Sequence, residues 1–73
     1  MRIFVKYNQN GEILSVSKRD SIPEGFNHPY GILREGEFAM EIPINEELLK
    51  MEASQIHTEF KVDIKKKKLL KKS

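Results

Sequence analysis

The sequence predicts a small α+β fold in which one short helix packs on an antiparallel sheet. Three observations lead to this prediction: an Asn-Gly dipeptide between two strand-like segments, a strict alternation of apolar and polar residues in mid-chain, and a helix-capping pattern directly after it. Leu, Ile, Val and Phe make up 21 of the 73 residues, above the fraction of roughly 20% below which composition favours disorder. The chain should therefore fold, although a domain of this size buries only about 60% of its unfolded surface.

The N-terminal segment predicts a β-hairpin over residues 2–17. Asn10-Gly11 tolerates the positive φ angles of a type I′ turn, and the segments on either side have the composition of strands. With these two residues as the loop, one face of the hairpin is apolar and the other is mostly polar, so the hydrophobic pattern supports the register set by the turn. The pairs expected on the apolar face are Tyr7 with Leu14 and Val5 with Val16.

A connection at residues 18–29 follows the hairpin. Pro23 fits the φ-restricted position of a turn, with Gly25 two residues later. At about twelve residues, the connection is long for a small domain. It is expected either to pack Ile22 and Phe26 against the sheet or to serve as a binding loop.

A second strand pair is predicted at residues 30–44. Apolar and polar side chains alternate over residues 37–44, as in a strand with one buried face. Glu35-Gly36 would close a hairpin between this strand and the residues before it. Pro43 has no N–H to donate to a ladder, which predicts that its end of the strand lies at a sheet edge.

One short helix is predicted over residues 46–55, packed on the sheet. Asn45 is a good N-cap residue, and Glu46 and Glu47 complement the positive end of the helix dipole. The apolar stripe expected to face the sheet consists of Leu49, Ala53 and Ile56, with Leu48 beside it. The helix should therefore begin directly after the second strand pair and cover the apolar face of the sheet.

The last predicted strand covers residues 58–64. The apolar residues that alternate there with charged neighbours are Phe60, Val62 and Ile64. Residues 1–64 are therefore predicted to form a single small α+β domain. A lysine-rich C-terminal segment follows at residues 65–73.

Two structures are compatible with this lysine-rich segment. It can form a hairpin strand with Lys66-Lys67 at the tip, which places Leu69 opposite Ile64 on the apolar face. It can also be a frayed tail, because the tip has neither Gly nor Asn. The sequence leaves both alternatives open.

Positive charge is concentrated at the C-terminal end. Residues 1–60 carry six Lys or Arg against ten Asp or Glu, a net charge of −4, whereas residues 61–73 carry seven Lys against one Asp, a net charge of +6. Ammonium groups bind phosphates without reading base sequence, so these lysines are candidate polyanion contacts. They are Lys61, Lys65, Lys66, Lys67, Lys68, Lys71 and Lys72. Against this, the segment has no Arg for bidentate base recognition, and Lys on an exposed strand also discourages sheet aggregation.

Catalytic chemistry has few candidates in this sequence. There is no Cys, and no nucleophile elbow, P-loop or dinucleotide-binding motif occurs. If His57 and Glu59 both lay in a strand, they would share one face, but two ligands do not make a metal site. His28, just before a proline, is expected in a turn rather than as a general base. We therefore predict a protein that is not an enzyme, with no catalytic, cofactor-binding or metal-binding residues.

The expected function is that of a small non-catalytic module for protein binding or assembly, because an exposed sheet edge can accept a strand from a partner or from a second copy. The alternative is electrostatic, sequence-nonspecific nucleic-acid binding through the lysine cluster. No run of residues approaches the roughly 20 apolar residues of a membrane-spanning helix, so no membrane partner is expected. With no Cys to indicate an oxidising compartment, a cytoplasmic location is predicted.

Overall fold

The computed structural model describes residues 1–22 and 24–72. Pro23, predicted in a turn, and Ser73, the end of the lysine-rich segment, lie outside the described residues. The elements in chain order are β1 (Arg2–Asn8), β2 (Ile13–Arg19), β3 (Glu37–Ile42), α1 (Glu46–Lys50), α2 (Ala53–Glu59), β4 (Phe60–Asp63) and β5 (Lys68–Lys71). The paired strands are antiparallel and the helices are short, so the predicted α+β class is confirmed.

The strands form two sheets. β1 lies at the centre of a three-stranded sheet, with β2 on one side and β3 on the other. β4 and β5 form a separate two-stranded sheet, so the last strand does not join the first sheet as expected. The N–H of Val62 in β4 donates instead to the carbonyl oxygen of Gly11 in the β1–β2 turn (2.8 Å). Residues 58–59, predicted in the last strand, form the end of α2.

The β1–β2 hairpin has a longer loop than the expected two-residue turn. The amide of Gly11 donates to the carbonyl oxygen of Asn8 (3.0 Å). The side-chain oxygen of Asn8 accepts the amides of Asn10 (2.9 Å) and Glu12 (3.0 Å). Gly11 has a φ of +83°. The loop is therefore a three-residue turn over residues 9–11, of the kind that ends on a residue in the left-handed region.

The longer loop changes the register next to the turn. Val5 lies opposite Val16, as predicted. Tyr7 lies opposite Ile13 instead of Leu14, because the register shifts by one residue at a β-bulge. Ile13 therefore enters the core, whereas 41% of Leu14 is exposed.

β3 pairs with β1 rather than with a strand before it. Met40 lies opposite Val5, and Phe38 lies opposite Tyr7. The described structure has no strand at residues 30–34, so the predicted second strand pair is wrong in its first strand. The physical reason is that the free side of β1 offers β3 a partner of six residues. On the core face, the apolar side chains of one strand lie opposite the apolar side chains of the other. A local hairpin could offer β3 only a shorter partner.

Tyr30, from the segment that does not form a strand, covers the face of the sheet opposite the core. Its hydroxyl donates to the carbonyl oxygen of Phe4 (3.0 Å) and lies 3.3 Å from that of Ser15. Phe4 is fully buried, and the guanidinium group of Arg2 lies 5.1 Å from its ring centroid. Phe26, expected to pack against the sheet, is 41% exposed. Tyr30 thus occupies the place that the sequence predicts for Phe26.

The core lies on one face of the three-stranded sheet, where side chains of α1, α2 and β4 pack onto it. Its members are Ile3, Val5, Tyr7, Ile13, Ile42, Leu48, Ile56 and Val62. Leu69 of β5 is half-buried against this cluster. The C-terminal part of the chain therefore contributes to the core.

The helix predicted over residues 46–55 is divided into two short helices, with two residues between them. Asn45 caps α1 as predicted, because its side-chain oxygen accepts the amide of Leu48 (2.8 Å). At the start of α2 the amide of Glu52 donates to the side-chain oxygen of Gln55 (2.8 Å), as in a capping box. This second N-terminal cap explains the interruption.

The apolar residues that face the sheet also differ from the predicted stripe. Leu48 and Ile56 are buried in the core, whereas 45% of Leu49 is exposed. Because the helix is interrupted, α1 and α2 each direct one buried side chain to the core. The longer helix, α2, has seven residues. In the described part of the chain, no helix has the length and apolar character needed to cross a membrane.

Candidate functional site

The lysine-rich segment forms a β-hairpin, which we call the basic hairpin and define as residues 60–72. Of the two alternatives for this segment, a hairpin strand or a frayed tail, the structure shows a hairpin made by β4 and β5. Its register differs from the expected one, since Leu69 lies opposite Val62 instead of Ile64. The turn at its tip spans four residues rather than two. The longer turn accounts for the shift in register.

Asp63 organises the tip of the basic hairpin. One of its carboxylate oxygens accepts the amides of Lys65 and Lys66, each at 3.1 Å, and its carbonyl oxygen accepts the amide of Lys67 (2.6 Å). Lys67 has a φ of +53°, in the left-handed region that Gly or Asn adopts more readily. Asp63 therefore supplies the turn signal that a tip without Gly or Asn lacks.

The inner face of the basic hairpin is attached to the rest of the protein. Val62 is buried in the core, and its amide donates to the carbonyl oxygen of Gly11 (2.8 Å). At the far end the amide of Lys72 donates to the carbonyl oxygen of Glu59 (2.8 Å). With Leu69 half-buried between these contacts, the lysines are carried by a defined element of the fold.

The seven candidate lysines are all exposed, and they occupy three places on the basic hairpin. Strand pairing puts Lys61 and Lys68 on its outer face, opposite Leu70 and Asp63. The tip carries Lys65, Lys66 and Lys67, and the far end carries Lys71 and Lys72. Within residues 1–22 and 24–72, none of the seven forms an ion pair. Their ammonium groups are therefore available to an anionic partner.

The sheet edges differ in how well they are protected against pairing with another strand. β5 begins and ends with lysine, and Lys on an edge strand discourages such pairing. β2 packs against α2, where Nε2 of His57 lies 2.7 Å from the carbonyl oxygen of Ile13. The ammonium group of Lys18 in β2 also donates to the carbonyl oxygen of Met51. These two edges are therefore occupied or charged.

β3 is an edge without such protection. It contains no Lys, Arg or Pro, and its two charged residues are glutamates that form ion pairs with cations of β1. Its pairing with β1 has no bulge, and it lies at the end of the strand order. Phe38 is 45% exposed and stacks on Tyr7 at a ring-centroid distance of 5.6 Å. An open, unbroken edge of this kind is a template for the addition of another strand.

The two carboxylates of β3 are paired with cations of β1. Nε and Nη2 of Arg2 donate to the carboxylate of Glu41 at 2.9 and 2.8 Å. Nζ of Lys6 lies 3.9 Å from the carboxylate of Glu37. The hydrogen bonds from Arg2 hold the pKa of Glu41 below its ordinary value. Sequence reasoning alone does not find these pairs, because they depend on the pairing of β1 with β3.

The two histidines contact the backbone of the protein itself. His57 lies in α2, and its Nε2 contacts the carbonyl oxygen of Ile13. On a helix, His57 and Glu59 do not share a face. Nδ1 of His28 accepts the amide of Tyr30 (3.2 Å). Among the described residues, no three His, Asp or Glu side chains are grouped to hold a metal ion.

A groove of about 180 Å³ lies between the basic hairpin and the β3–α1 region. It is lined by Ile42, Pro43, Asn45, Leu48, Lys68 and Leu69. Ligand pockets are typically larger, from about 300 Å³ upward. A depression of about 390 Å³ along residues 41–44 reaches that volume, but it is open to solvent and not an enclosed pocket. The geometry therefore favours binding on a surface over binding in a pocket.

We compared the chain with family models, with curated proteins and with solved structures, and none of the three comparisons gave a match. The function is therefore inferred from the two surfaces described above, the basic hairpin and the edge of β3.

Proposed function

We propose that this protein is a non-catalytic assembly module that joins a second copy of itself through β3. The observation that carries the proposal is the contrast between the sheet edges. β2 packs against a helix and β5 carries lysines, whereas β3 has neither form of protection. Addition of a strand would give hydrogen-bond partners to the N–H and C=O groups that β3 directs away from β1.

The sequence of β3 is suited to pairing with itself in the antiparallel direction. When the pairing is centred on Met40, Met40 lies opposite the same residue of the second copy and Phe38 lies opposite Ile42. Because paired residues share a face, three apolar side chains of each copy then extend the core face of the sheet. The result is a continuous six-stranded antiparallel sheet, built from the three strands of each copy.

The opposite face selects this register over its nearest alternative. With Met40 at the centre, Ala39 lies opposite Glu41 of the second copy, so carboxylates do not face each other. Centring the pair on Ala39 would set Glu37 opposite Glu41, which like-charge repulsion disfavours. The ion pairs with β1 further reduce the charge that each β3 presents to an incoming strand.

The dimer should be weak and concentration-dependent. A six-residue strand buries less surface than the roughly 1,200 Å² of a stable interface unless neighbouring side chains add to it. This proposal assigns no chemistry to His28 or His57 and needs no cofactor. A cytoplasmic location stays a prediction from the sequence.

Sedimentation equilibrium over a concentration series tests the proposed dimer. The native protein should approach twice the monomer mass at high concentration. Ala39→Glu should remain monomeric, because the new carboxylate would face Glu41 of the second copy. Within one copy it lies opposite Lys6, and that favourable cross-strand pair preserves the fold.

The matched control is Ser17→Glu, which adds the same charge to the same face of the sheet, but in β2. It should dimerise like the native protein. A native protein that stays monomeric at millimolar concentration would contradict assembly through β3, and so would an equal loss of dimer in both variants.

A further inference from the structure

We infer that the basic hairpin binds the phosphate backbone of double-stranded DNA, without preference for base sequence. This surface is separate from the edge of β3. The residues that would make the contacts are Lys61, Lys65, Lys66, Lys67 and Lys68, on the tip and outer face. They are exposed and, among the described residues, form no ion pair.

Protection of a sheet edge does not account for the lysines at the tip. Lys68 and Lys71 lie in β5, where a charge discourages pairing with another strand. Residues 64–67 form a turn, which has no strand edge to protect. Solubility does not require positive charge at this place either, because residues 1–60 already carry a net charge of −4.

The backbone conformation of Lys67 points in the same direction. It is the one non-glycine residue of the described chain with a positive φ, +53°. Gly or Asn would adopt this conformation at a lower energetic cost. A residue type that is poorly suited to its backbone conformation is expected where the side chain serves a function. Binding by its ammonium group gives a reason for lysine at this position.

The shape of the basic hairpin fits the major groove of B-form DNA. Paired strands lie about 5 Å apart, and the groove, about 12 Å wide, admits a two-stranded β-ribbon. A hairpin that enters tip first would bring its tip lysines between the two phosphate backbones. Lys61 and Lys68 are diagonal neighbours across the strands, so they can contact one backbone together.

The composition of the basic hairpin indicates binding that is independent of sequence. Residues 60–72 contain no Arg, Asn or Gln, so Lys is the one residue type there that reads purine edges with paired hydrogen bonds. Lys binds phosphate as a point charge, without the fixed fork geometry of Arg. The outer face also lacks the apolar stripe of a membrane-surface element, since the residues paired with its two lysines are Leu70 and Asp63. DNA phosphates are therefore favoured over an anionic membrane.

Fluorescence anisotropy with a short labelled DNA duplex of mixed sequence tests this inference. Each phosphate contact contributes about −0.9 to the slope of log K against log salt concentration, so five lysines predict a slope of about −4.5. Affinity should then fall roughly 500-fold between about 50 and 200 mM salt. Absence of binding at low salt would overturn the inference.

Two charge-matched variants locate the surface. The test variant is K65Q/K66Q/K67Q, and the control, which removes three exposed cations elsewhere, is R19Q/R34Q/K50Q. The test variant should reduce the magnitude of the slope by about 2.7, and the control should leave the slope unchanged. An equal effect of both variants would show attraction by net charge alone and overturn the assignment to the basic hairpin.

A second pair of variants tests whether the defined hairpin is required. Asp63→Asn and Asp63→Ala both remove the negative charge, but only Asn keeps an oxygen that can accept the amides of Lys65 and Lys66. Asp63→Asn should bind DNA more tightly than the native protein, and Asp63→Ala more weakly than Asp63→Asn. Equal affinity of the two variants would mean that loose lysines suffice, which contradicts docking of a shaped hairpin.

Lipid vesicles that contain phosphatidylserine provide the last comparison. At equal protein and salt concentration, the native protein should bind the duplex more tightly than the vesicles. The reverse order would assign the lysines to an anionic membrane and overturn the inference.

Discussion

At the scale of the residue, Gly11 joins the first hairpin to the last. It has a φ of +83° and is buried, and a Cβ atom at this position would overlap the carbonyl oxygen of Val62. Its own carbonyl oxygen accepts the amide of Val62 at 2.8 Å. Glycine is therefore required here for two independent reasons, its conformation and the close approach of another backbone.

We expect Gly11→Ala to lower the free energy of unfolding by about 2–4 kcal/mol, because strain from the positive φ and displacement of β4 add together. Urea denaturation followed by circular dichroism measures the loss. Gly36→Ala is the control, since Gly36 has a similar φ of +81° but nothing within 4 Å of the added Cβ. Equal losses in the two variants would show that contact with β4 does not matter.

A second feature at this scale is the pair of hydrogen bonds between Arg2 and Glu41. The pKa of Glu41 is lowered chiefly by the hydrogen bonds from Arg2. A carboxyl group with a depressed pKa in the folded state stabilises the fold at pH values above its unfolded pKa, and this contribution is lost as pH falls through the folded pKa. The pair therefore stabilises β1–β3 at neutral pH and ceases to do so in acid.

NMR titration of the Glu41 carboxyl group measures this effect. Its pKa should lie below the ordinary value of about 4.3 and rise toward it in Arg2→Gln. Lys50→Gln, which removes an exposed cation in α1 that is not paired with Glu41, should leave the pKa unchanged. A pKa of Glu41 that does not respond to Arg2→Gln would show that the bidentate pair does not form in solution.

At the scale of the element, the segments that carry a local signal are the ones that the sequence predicts well. The Asn-Gly turn, the alternation over β3 and the cap at Asn45 depend on neighbouring residues, and each marks a real turn, strand or helix start. The predicted turn length and the predicted continuous helix are wrong, and in each case a single side chain that hydrogen-bonds to the backbone accounts for the difference. The side chain of Asn8 lengthens the first turn by one residue, and the capping interaction of Glu52 divides the helix.

Strand partners are harder to predict than strands. The alternation in β3 shows that one face is buried but not which strand lies beside it. The actual partner is β1, far away in the sequence, at the other end of a long connection. The edge of β3 as a candidate site is therefore visible only in the structure. The lysines of the basic hairpin can be found in the sequence, but their positions in the structure depend on the turn that Asp63 forms. The sequence does not indicate this turn, because Asp63 is one of several charged residues in that stretch.

At the scale of the whole molecule, the C-terminal stretch carries most of the positive charge and also contributes side chains to the core. Residues 61–73 carry a net charge of +6, yet the same stretch supplies Val62 and Leu69 to the core or its border. The basic end is therefore structural as well as charged. The predicted division into a domain of residues 1–64 and a segment of residues 65–73 stays a prediction, and β5 lies in that segment.

Deletion of residues 65–73 should destabilise the whole protein and not merely remove charge. It takes away the pairing partner of β4, the half-buried side chain of Leu69 and the hydrogen bond from Lys72 to Glu59. We expect the free energy of unfolding to fall by about 2 kcal/mol or more, the order of magnitude for loss of a core leucine. K65Q/K66Q/K67Q, which keeps β5, should unfold at the same urea concentration as the native protein or at a higher one, because repulsion between the lysines is relieved. A truncated protein as stable as the native one would show that β5 does not contribute to the core.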